Sequence, residues 1–247
     1  MAQGPEQHDE IDPQGPKPPA VPTTRDTPER IRRQIETSGA VADGQAGTGN
    51  LLDERLLVVN QKAKLLEINN EYAIFDQQGA QVGAIRQVGQ GWFRKAVRLL
   101  TDFDQYLTHR LEVVDAQGDV LFKVTRPAKF IKSKMLVESP QGQPLGQLVQ
   151  QNAIGKIRFD MISQGQSIGS LNAENWRAWD FAILDAAGTE VARITKTWEG
   201  LAKTMFTSAD NYVVKVHRPL TEPLRTLVMA SAVTVDTALK QDSRGLN

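Results

Sequence analysis

From residue 51 onward the chain alternates hydrophobic and polar residues in short runs, and turns containing glycine separate these runs. The same pattern, a strand followed by a turn and a second strand, occurs five times. An Asp, Ser or Glu at the start of each turn can accept hydrogen bonds from backbone amides, and glycine supplies the positive φ that closes a hairpin. The predicted turn glycines are Gly79, Gly118, Gly142, Gly165 and Gly188.

The strand patterns add up to about a dozen. Besides the five hairpins they include runs at 56–59 and 64–68 before the first hairpin and at 212–216 after the last. So many antiparallel strands usually close on themselves, because a barrel leaves no exposed edge for other chains to pair with. The sequence therefore predicts a closed antiparallel β-barrel of about twelve strands.

The C-terminal segment does not alternate. A helix is predicted over about 222–240, since Thr221 or Glu222 precedes Pro223 and apolar or small residues then occupy nearly every face. Such a helix is buried all round, inside a membrane or inside the protein. From 224 to 239 it spans about 24 Å, short of the roughly 30 Å hydrocarbon core of a bilayer. Asp236 alone, at about +3 kcal/mol, cancels the insertion energy of six apolar side chains at about −0.5 kcal/mol each. A helix threaded through the barrel is therefore predicted, with core residues Leu224, Leu227, Val228, Val233, Val235 and Leu239.

The first fifty residues have a different composition. They hold seven of the twelve prolines and six of the nineteen glycines, which is typical of a disordered tail. The predicted organisation is thus a disordered tail at 1–50 and one barrel domain at 51–247.

Composition excludes several classes of protein. The 247 residues carry 29 basic and 29 acidic side chains, so nucleic acid is not an expected partner. With no cysteine, disulfides, thiol catalysis and cysteine zinc sites are excluded.

No apolar signal run opens the chain, so a cytoplasmic protein is expected. The motifs of serine hydrolases, zinc proteases and P-loops are absent, and the three histidines are scattered, so no enzyme is predicted.

Three sequence segments carry a family resemblance. The segments 194–200 (ITKTWEG) and 206–212 (FTSADNY), and the terminal helix with Asp236 inside it, resemble phospholipid scramblases in the same order. The openings at 56–61 and 71–74 are also similar, so the resemblance covers roughly residues 51–240. It implies the Tubby-like fold, a twelve-stranded barrel around a hydrophobic C-terminal helix. Plant LURP-one-related proteins share that architecture.

The resemblance also raises the question of calcium. In scramblases the segment matching 208–220 is a proposed calcium loop. Calcium takes six to eight oxygen ligands, several of them carboxylates. Here the candidate ligands are Asp210 and Asn211 with the Ser208 hydroxyl, while Lys215, His217 and Arg218 bring the wrong charge. Calcium is therefore the one candidate cofactor, but the set is poor in carboxylates, and Asp210 and Asn211 fit better a turn that leads into a strand.

Two basic segments are candidate contacts for anionic lipid head groups. The first holds Arg94, Lys95 and Arg98 among aromatic and aliphatic residues, a mixture found in helices that lie in a membrane interface. A helix that covers the barrel is the alternative. The second segment is free of acids, and a solvated loop is its alternative; its cations are Lys123, Arg126, Lys129, Lys132 and Lys134.

Two functions follow as expectations. The resemblance implies a scramblase-like protein that binds anionic phospholipid at a membrane surface, at the inner face of the plasma membrane, and that aids the movement of lipid between leaflets. The alternative is a non-catalytic protein-interaction or regulatory module built on the same barrel.

Overall fold

The computed structural model describes residues 49–60, 70–88, 108–127, 133–152, 157–175, 180–196 and 211–242. Nearly all of the predicted tail, and the predicted strand at 64–68, lie outside these ranges. The described residues form twelve strands and a C-terminal helix. These are β1 (Leu56–Asn60), β2 (Asn70–Phe75), β3 (Gln81–Gln87), β4 (His109–Asp115), β5 (Val120–Arg126), β6 (Lys134–Glu138), β7 (Pro144–Gln150), β8 (Arg158–Ser163), β9 (Gln166–Asn175), β10 (Asp180–Asp185), β11 (Glu190–Lys196), β12 (Asn211–Val216) and α1 (Leu224–Asp242).

Each strand pairs antiparallel with the next along the chain, and β12 pairs with β1 to close the barrel. The closing register runs from Leu56 opposite Lys215 to Asn60 opposite Asn211. The predicted closed antiparallel barrel is confirmed. Because the strands run alternately up and down, the connections fall at two ends. We call the end with the five short turns the hairpin end, and the end with the β3–β4, β5–β6 and β11–β12 connections the connection end.

The turns at the hairpin end all have the predicted glycine, and four of the five have the predicted hydrogen-bond acceptor. All five turn glycines have a positive φ, between 77° and 87°. The Oδ1 atoms of Asp76, Asp115 and Asp185 each accept hydrogen bonds from the amides two and four residues later, at 2.8–3.0 Å. In the third turn the Ser139 hydroxyl accepts from the Gln143 amide at 3.2 Å. Five local signals therefore fix the pairing of ten strands.

Two glycines separate conformational cost from steric cost. A Cβ on Gly188 would meet nothing within 4 Å, so Gly188→Ala is expected to cost only the positive φ of 79°, about 1 kcal/mol of unfolding free energy. A Cβ on Gly169 would lie 2.6 Å from the Leu184 carbonyl oxygen, so Gly169→Ala is expected to cost at least about 2 kcal/mol. Urea unfolding of both variants measures the difference, and equal costs would contradict this reading.

Helix α1 fills the barrel. Every residue from Leu227 to Val235 is at most 6% exposed, so the prediction of a helix buried on all faces is confirmed. Of the predicted core residues, Leu227, Val228, Val233 and Val235 are buried and Leu224 packs half-buried against the core. Leu239 lies within the helix, but its side chain is outside the described part.

Two buried hydroxyls of the helix are satisfied within the helix itself. The hydroxyls of Ser231 and Thr234 donate to the carbonyls of Leu227 and Ala230 at 2.9 and 3.0 Å. The helix therefore presents a largely apolar surface to the barrel wall. In the described ranges we find no helix with both the length and the hydropathy needed to cross a bilayer.

Glycine lets the wall approach the helix closely. A Cβ on Gly146 of β7 would lie 2.7 Å from the Ile162 carbonyl oxygen and 3.0 Å from Leu227 Cδ1. Only a residue without a side chain fits between the helix and the neighbouring strand at this position. Strands β6, β7, β9 and β12 are the ones against which the helix packs most.

Candidate functional site

The second basic segment extends from β5 to β6 at the connection end. Lys123 and Arg126 lie on β5, and Lys134 begins β6. Lys129 and Lys132, which the sequence places between them, fall outside the described residues. So do Arg94, Lys95 and Arg98 of the first basic segment.

Lys123 faces outward among acidic neighbours. It is half-buried, and its register partners are Glu112 on β4 and Glu138 on β6. Glu112 is also ion-paired with Arg86 of β3 at 2.9 Å. The outer wall thus carries a row of alternating charge across four strands, so the positive field predicted around Lys123 is largely balanced there.

Arg126 corrects the predicted set of lipid contacts. Its strand alternates, with Phe122, Val124 and Arg126 on the inner face, and Arg126 is only 6% exposed. A side chain on that face is not on the outer surface where a head group would bind. We therefore remove Arg126 from the set of candidate contacts.

Lys134 is placed where a contact with a lipid head group is possible. It is exposed, it starts β6 on the outward register, and its partner on β7 is the apolar Val149. The immediately preceding residues, 128–132, contain Lys129 and Lys132. The β5–β6 connection is therefore followed by an exposed cation, Lys134, at the connection end of the barrel.

The topology also brings the two basic segments to one end. In an up-and-down barrel the β3–β4 and β5–β6 connections leave and return at the same end. Residues 89–107, which hold Arg94, Lys95 and Arg98, form the first of these connections, and Lys129 and Lys132 lie in the second. The sequence alone does not show that the two basic segments lie at the same end of the barrel.

The described residues do not test the calcium candidates. Asp210 lies outside the described residues, and Asn211 begins β12 opposite Asn60. Within the ranges that the structure describes, no group of three or more His, Asp or Glu side chains could hold a metal ion.

A charge network that extends from Asp180 on β10 to the hairpin end was missed from the sequence. Arg193 is ion-paired with Asp180 and with Glu190, and His217 Nε2 lies 3.0 Å from Glu190 Oε1. Arg218 is ion-paired with Asp185, the turn aspartate of the last hairpin. The network ties the end of β12 to β10 and β11.

The start of the helix is held in a similar way. Arg225 is ion-paired with Asp53, 172 residues away along the chain, and with Glu222 at 2.8 Å. Glu222 also accepts a hydrogen bond from the Thr226 hydroxyl at 2.7 Å. These contacts fix where α1 enters the barrel. They are structural contacts.

Acid is expected to weaken the network at the hairpin end. The Thr189 amide is the largest influence on the Asp185 carboxyl and, with the Ala187 amide and Arg218, holds its pKa below the ordinary value of 3.8. Burial raises the pKa of Glu190, but hydrogen bonds with His217 and Arg193 outweigh it, so this pKa lies below 4.5.

Both carboxylates therefore stabilise the fold above their unfolded pKa values, and the stabilisation is lost as the pH falls through the lower folded values. The variant Asp185→Asn with Glu190→Gln should show a flatter fall in unfolding free energy than the parent between about pH 5 and pH 3. Urea titrations at several pH values measure this. Parallel curves for the two proteins would contradict the assignment.

A model of one protein family matches most of the chain. Its description is Scramblase, and it matches residues 37–239. The chain belongs to the scramblase family. The resemblance read from the three sequence segments is thereby confirmed. The matched span begins inside the predicted tail.

Two curated relatives are similar at low identity. A Saccharomyces cerevisiae protein named "Altered inheritance rate of mitochondria protein 25" is 22% identical over 254 aligned residues, which cover 83% of this chain and 76% of the relative. A phospholipid scramblase family protein of Schizosaccharomyces pombe is 22% identical over 184 residues, which cover 67% of this chain. The alignment spans 47% of that relative, so the chain matches about half of its length. An X-ray structure of an Arabidopsis thaliana protein aligns at 12% identity with a TM-score of 0.48, covering 76% of this chain and 94% of that one.

Proposed function

We propose that this scramblase family member binds anionic phospholipid through basic residues at the connection end of its barrel. One observation carries the proposal. The barrel topology brings the β3–β4 and β5–β6 connections, with the two basic segments of the sequence, to the same end. Lys134 shows how such a cation is presented, since it is exposed at the start of β6.

The expected binding is electrostatic and moderate. A basic residue near an anionic membrane is worth about 1 kcal/mol, and this attraction falls off within a Debye length of about 10 Å at 0.1 M salt. Arg94, Lys95, Arg98, Lys129, Lys132 and Lys134 make up the proposed set. Cations on two adjacent connections can meet one membrane surface together. Single cations scattered over the barrel could not do so.

The proposed location follows from the same chemistry. Anionic phospholipid is concentrated in the cytoplasmic leaflet, which attracts basic surfaces. We therefore propose a cytoplasmic protein that associates peripherally with the inner face of the plasma membrane.

Movement of lipid between leaflets is the finer part of the proposal. The helix occupies the inside of the barrel, with Leu227, Val228 and Ala230 fully buried. A lipid would therefore be handled on the outside of the barrel. Vesicles carry a phospholipid analogue with a fluorescent head group, and a reductant that cannot cross the bilayer is added outside. Reconstituted protein should accelerate the loss of fluorescence, because analogue from the inner leaflet then reaches the reductant. Unchanged loss, with protein bound to the vesicles, would leave lipid binding without transbilayer movement.

Flotation of purified protein with liposomes tests the binding itself. Neutral and anionic vesicles are compared at low and moderate salt, each with and without calcium. The proposal expects flotation with anionic vesicles only, weakened by salt. A calcium requirement would restore a metal site at Asp210 and Asn211. Absence of flotation under every condition would overturn lipid binding and favour a protein-interaction module.

A further inference from the structure

One side of the barrel has an apolar outer wall that is buried. Outward positions on β12, β1 and β2 form a hydrophobic cluster separate from the core inside the barrel, and each residue of it is at most 3% exposed. We call this cluster the outer patch. It consists of Leu56, Val58, Ala73, Phe75 and Val213.

The strand register shows that these residues face outward. Val58 lies opposite Val213 on one side and Phe75 on the other, whereas its neighbours Leu57 and Val59 belong to the core cluster around the helix. The wall continues along the barrel, since Ala84 of β3 pairs with Ala73 and with Val114 of β4, and both Ala84 and Val114 are 1% exposed.

A wall facing water would not have this composition. Antiparallel strands with one solvated face alternate between apolar and polar residues, and strands buried on both faces read as continuous apolar runs. Strand β1 begins Leu-Leu-Val-Val, a run of the second kind. On the other side of the barrel the outward positions of β5 and β6 include Lys123, Lys134 and Glu138. The outer patch therefore needs a cover on its own side only.

The described elements do not supply that cover. Strands β1 to β4 and β12 pack edge to edge with their neighbours, and α1 lies on the opposite side of the wall. We propose that residues 92–107 of the β3–β4 connection dock on the outer patch with their apolar face. This segment leaves β3 and returns to β4, the strands that carry Ala84 and Val114.

The sequence of the segment fits that position. Trp92, Ala96, Leu100, Phe103 and Leu107 recur at intervals of three or four residues, the spacing of one helix face. Sixteen residues of helix are about 24 Å long, and five adjacent strands span about 19 Å between the outer axes. The segment is thus long enough to cross the whole patch.

The opposite face of the segment is polar. It carries Arg94, Lys95, Arg98, Thr101 and Gln105. Docking would leave these side chains exposed to solvent, while the apolar residues of the segment pack against the barrel wall. The basic residues could then meet lipid head groups by charge, without insertion of the apolar face. The docking itself does not depend on lipid binding and can hold if lipid binding fails.

The N-terminal tail is a competing cover. It leads into β1 at the hairpin end, next to Leu56. Between residues 23 and 48, however, its large apolar residues are only Ile31, Ile35 and Val41, and acidic and basic side chains surround the first two. The tail has too few apolar residues for a wall of five strands, and its removal is an arm of the test.

Single cysteines can report the cover, because the chain has no native cysteine. Ala84→Cys places a thiol on the outer wall, and Ser231→Cys places one at a fully buried position of the helix. Maleimide labelling of each is followed in three backgrounds: Leu100→Asp with Phe103→Asp, which breaks the apolar face; Arg98→Asp, which changes the polar face; and deletion of 1–48.

Increased maleimide labelling is expected at only one of the two cysteine positions and in only one of the three backgrounds. The double aspartate variant should raise labelling at the Ala84→Cys position by about tenfold or more while the Ser231→Cys position stays protected. Arg98→Asp and the tail deletion should leave both unchanged. Exposure of the outer thiol by the tail deletion alone would assign the cover to the tail and overturn the proposal.

A second measurement covers the case in which the double variant unfolds and exposes both thiols. Ala84→Cys is then combined with a cysteine at each position from 92 to 107 in the otherwise unchanged chain, and disulfide formation is scored. Cross-linking that peaks at Ala96, Leu100 and Phe103, with minima at Lys95, Arg98 and Thr101, is expected. A flat profile would overturn docking.

Discussion

Replacing Leu227 by alanine is expected to lower the free energy of unfolding by about 3–4 kcal/mol, a large share of the stability of an ordinary domain. Leu227 is 0% exposed, and its Cδ atoms would lie 3.0–3.2 Å from a Cβ on Gly146, so the wall is moulded closely around this side chain. Truncation leaves a cavity that the closed barrel cannot collapse to fill. Urea unfolding followed by circular dichroism measures the loss.

A matched leucine in the same helix supplies the control. Leu224 is only half-buried, where α1 enters the barrel. Its replacement by alanine should cost about 1 kcal/mol. Similar losses for the two variants would contradict a helix that is packed inside the barrel from its second turn onward.

Reversing the charge of Lys129, Lys132 and Lys134 together is expected to weaken binding to anionic vesicles by more than about a hundredfold. Each reversal removes an attraction of about 1 kcal/mol and adds a repulsion, and three of them exceed the energy of two decades in affinity. The measurement is a vesicle titration by sedimentation at fixed low salt. Unchanged binding would remove this segment from the lipid-binding surface.

A pair of single variants tests whether binding to anionic vesicles depends on where a positive charge lies or only on the net charge. Lys134→Glu and Arg218→Glu change the net charge equally, and both residues are exposed, but Lys134 lies at the connection end and Arg218 at the hairpin end. We expect a loss of about tenfold for Lys134→Glu and little change for Arg218→Glu. Equal losses would mean that the vesicle responds to net charge alone.

Much of the fold could be predicted from local signals. Each hairpin is specified within about ten residues by an alternating strand and a glycine, and in four of the five a turn residue also accepts amide hydrogen bonds. The structure gives positive φ to all five glycines. The burial of α1 followed from apolar and small residues on every face. Closure of the barrel followed from the number of strands, because so wide an open sheet would leave long exposed edges.

The register between strands could not be predicted, and much of the candidate site depends on it. Nothing in the sequence near Lys123 shows that Glu112 and Glu138 flank it on the adjacent strands. The ion pair of Arg225 with Asp53 joins residues 172 positions apart, so no local pattern announces it. These contacts arise only when the barrel is assembled.

The error at Arg126 has a different cause. Treating 123–134 as one basic segment ignored the alternation of β5, in which residues three apart face opposite sides of a strand. Lys123 is outward, so Arg126 had to be inward, as the structure shows. Applying the strand period to the edge of the segment would have removed Arg126 from the sequence alone.

The barrel is expected to meet the membrane from outside while its helix stays within. Maleimide labelling of the Ser231→Cys variant, in solution and in the fraction that floats with anionic vesicles, tests this directly. Ser231 is 0% exposed, and Ala187→Cys in an exposed turn serves as the thiol that always reacts. We predict equal protection of the Ser231→Cys position in both fractions. Labelling that rises by about tenfold on the vesicles would show that the helix leaves the barrel and would contradict the account.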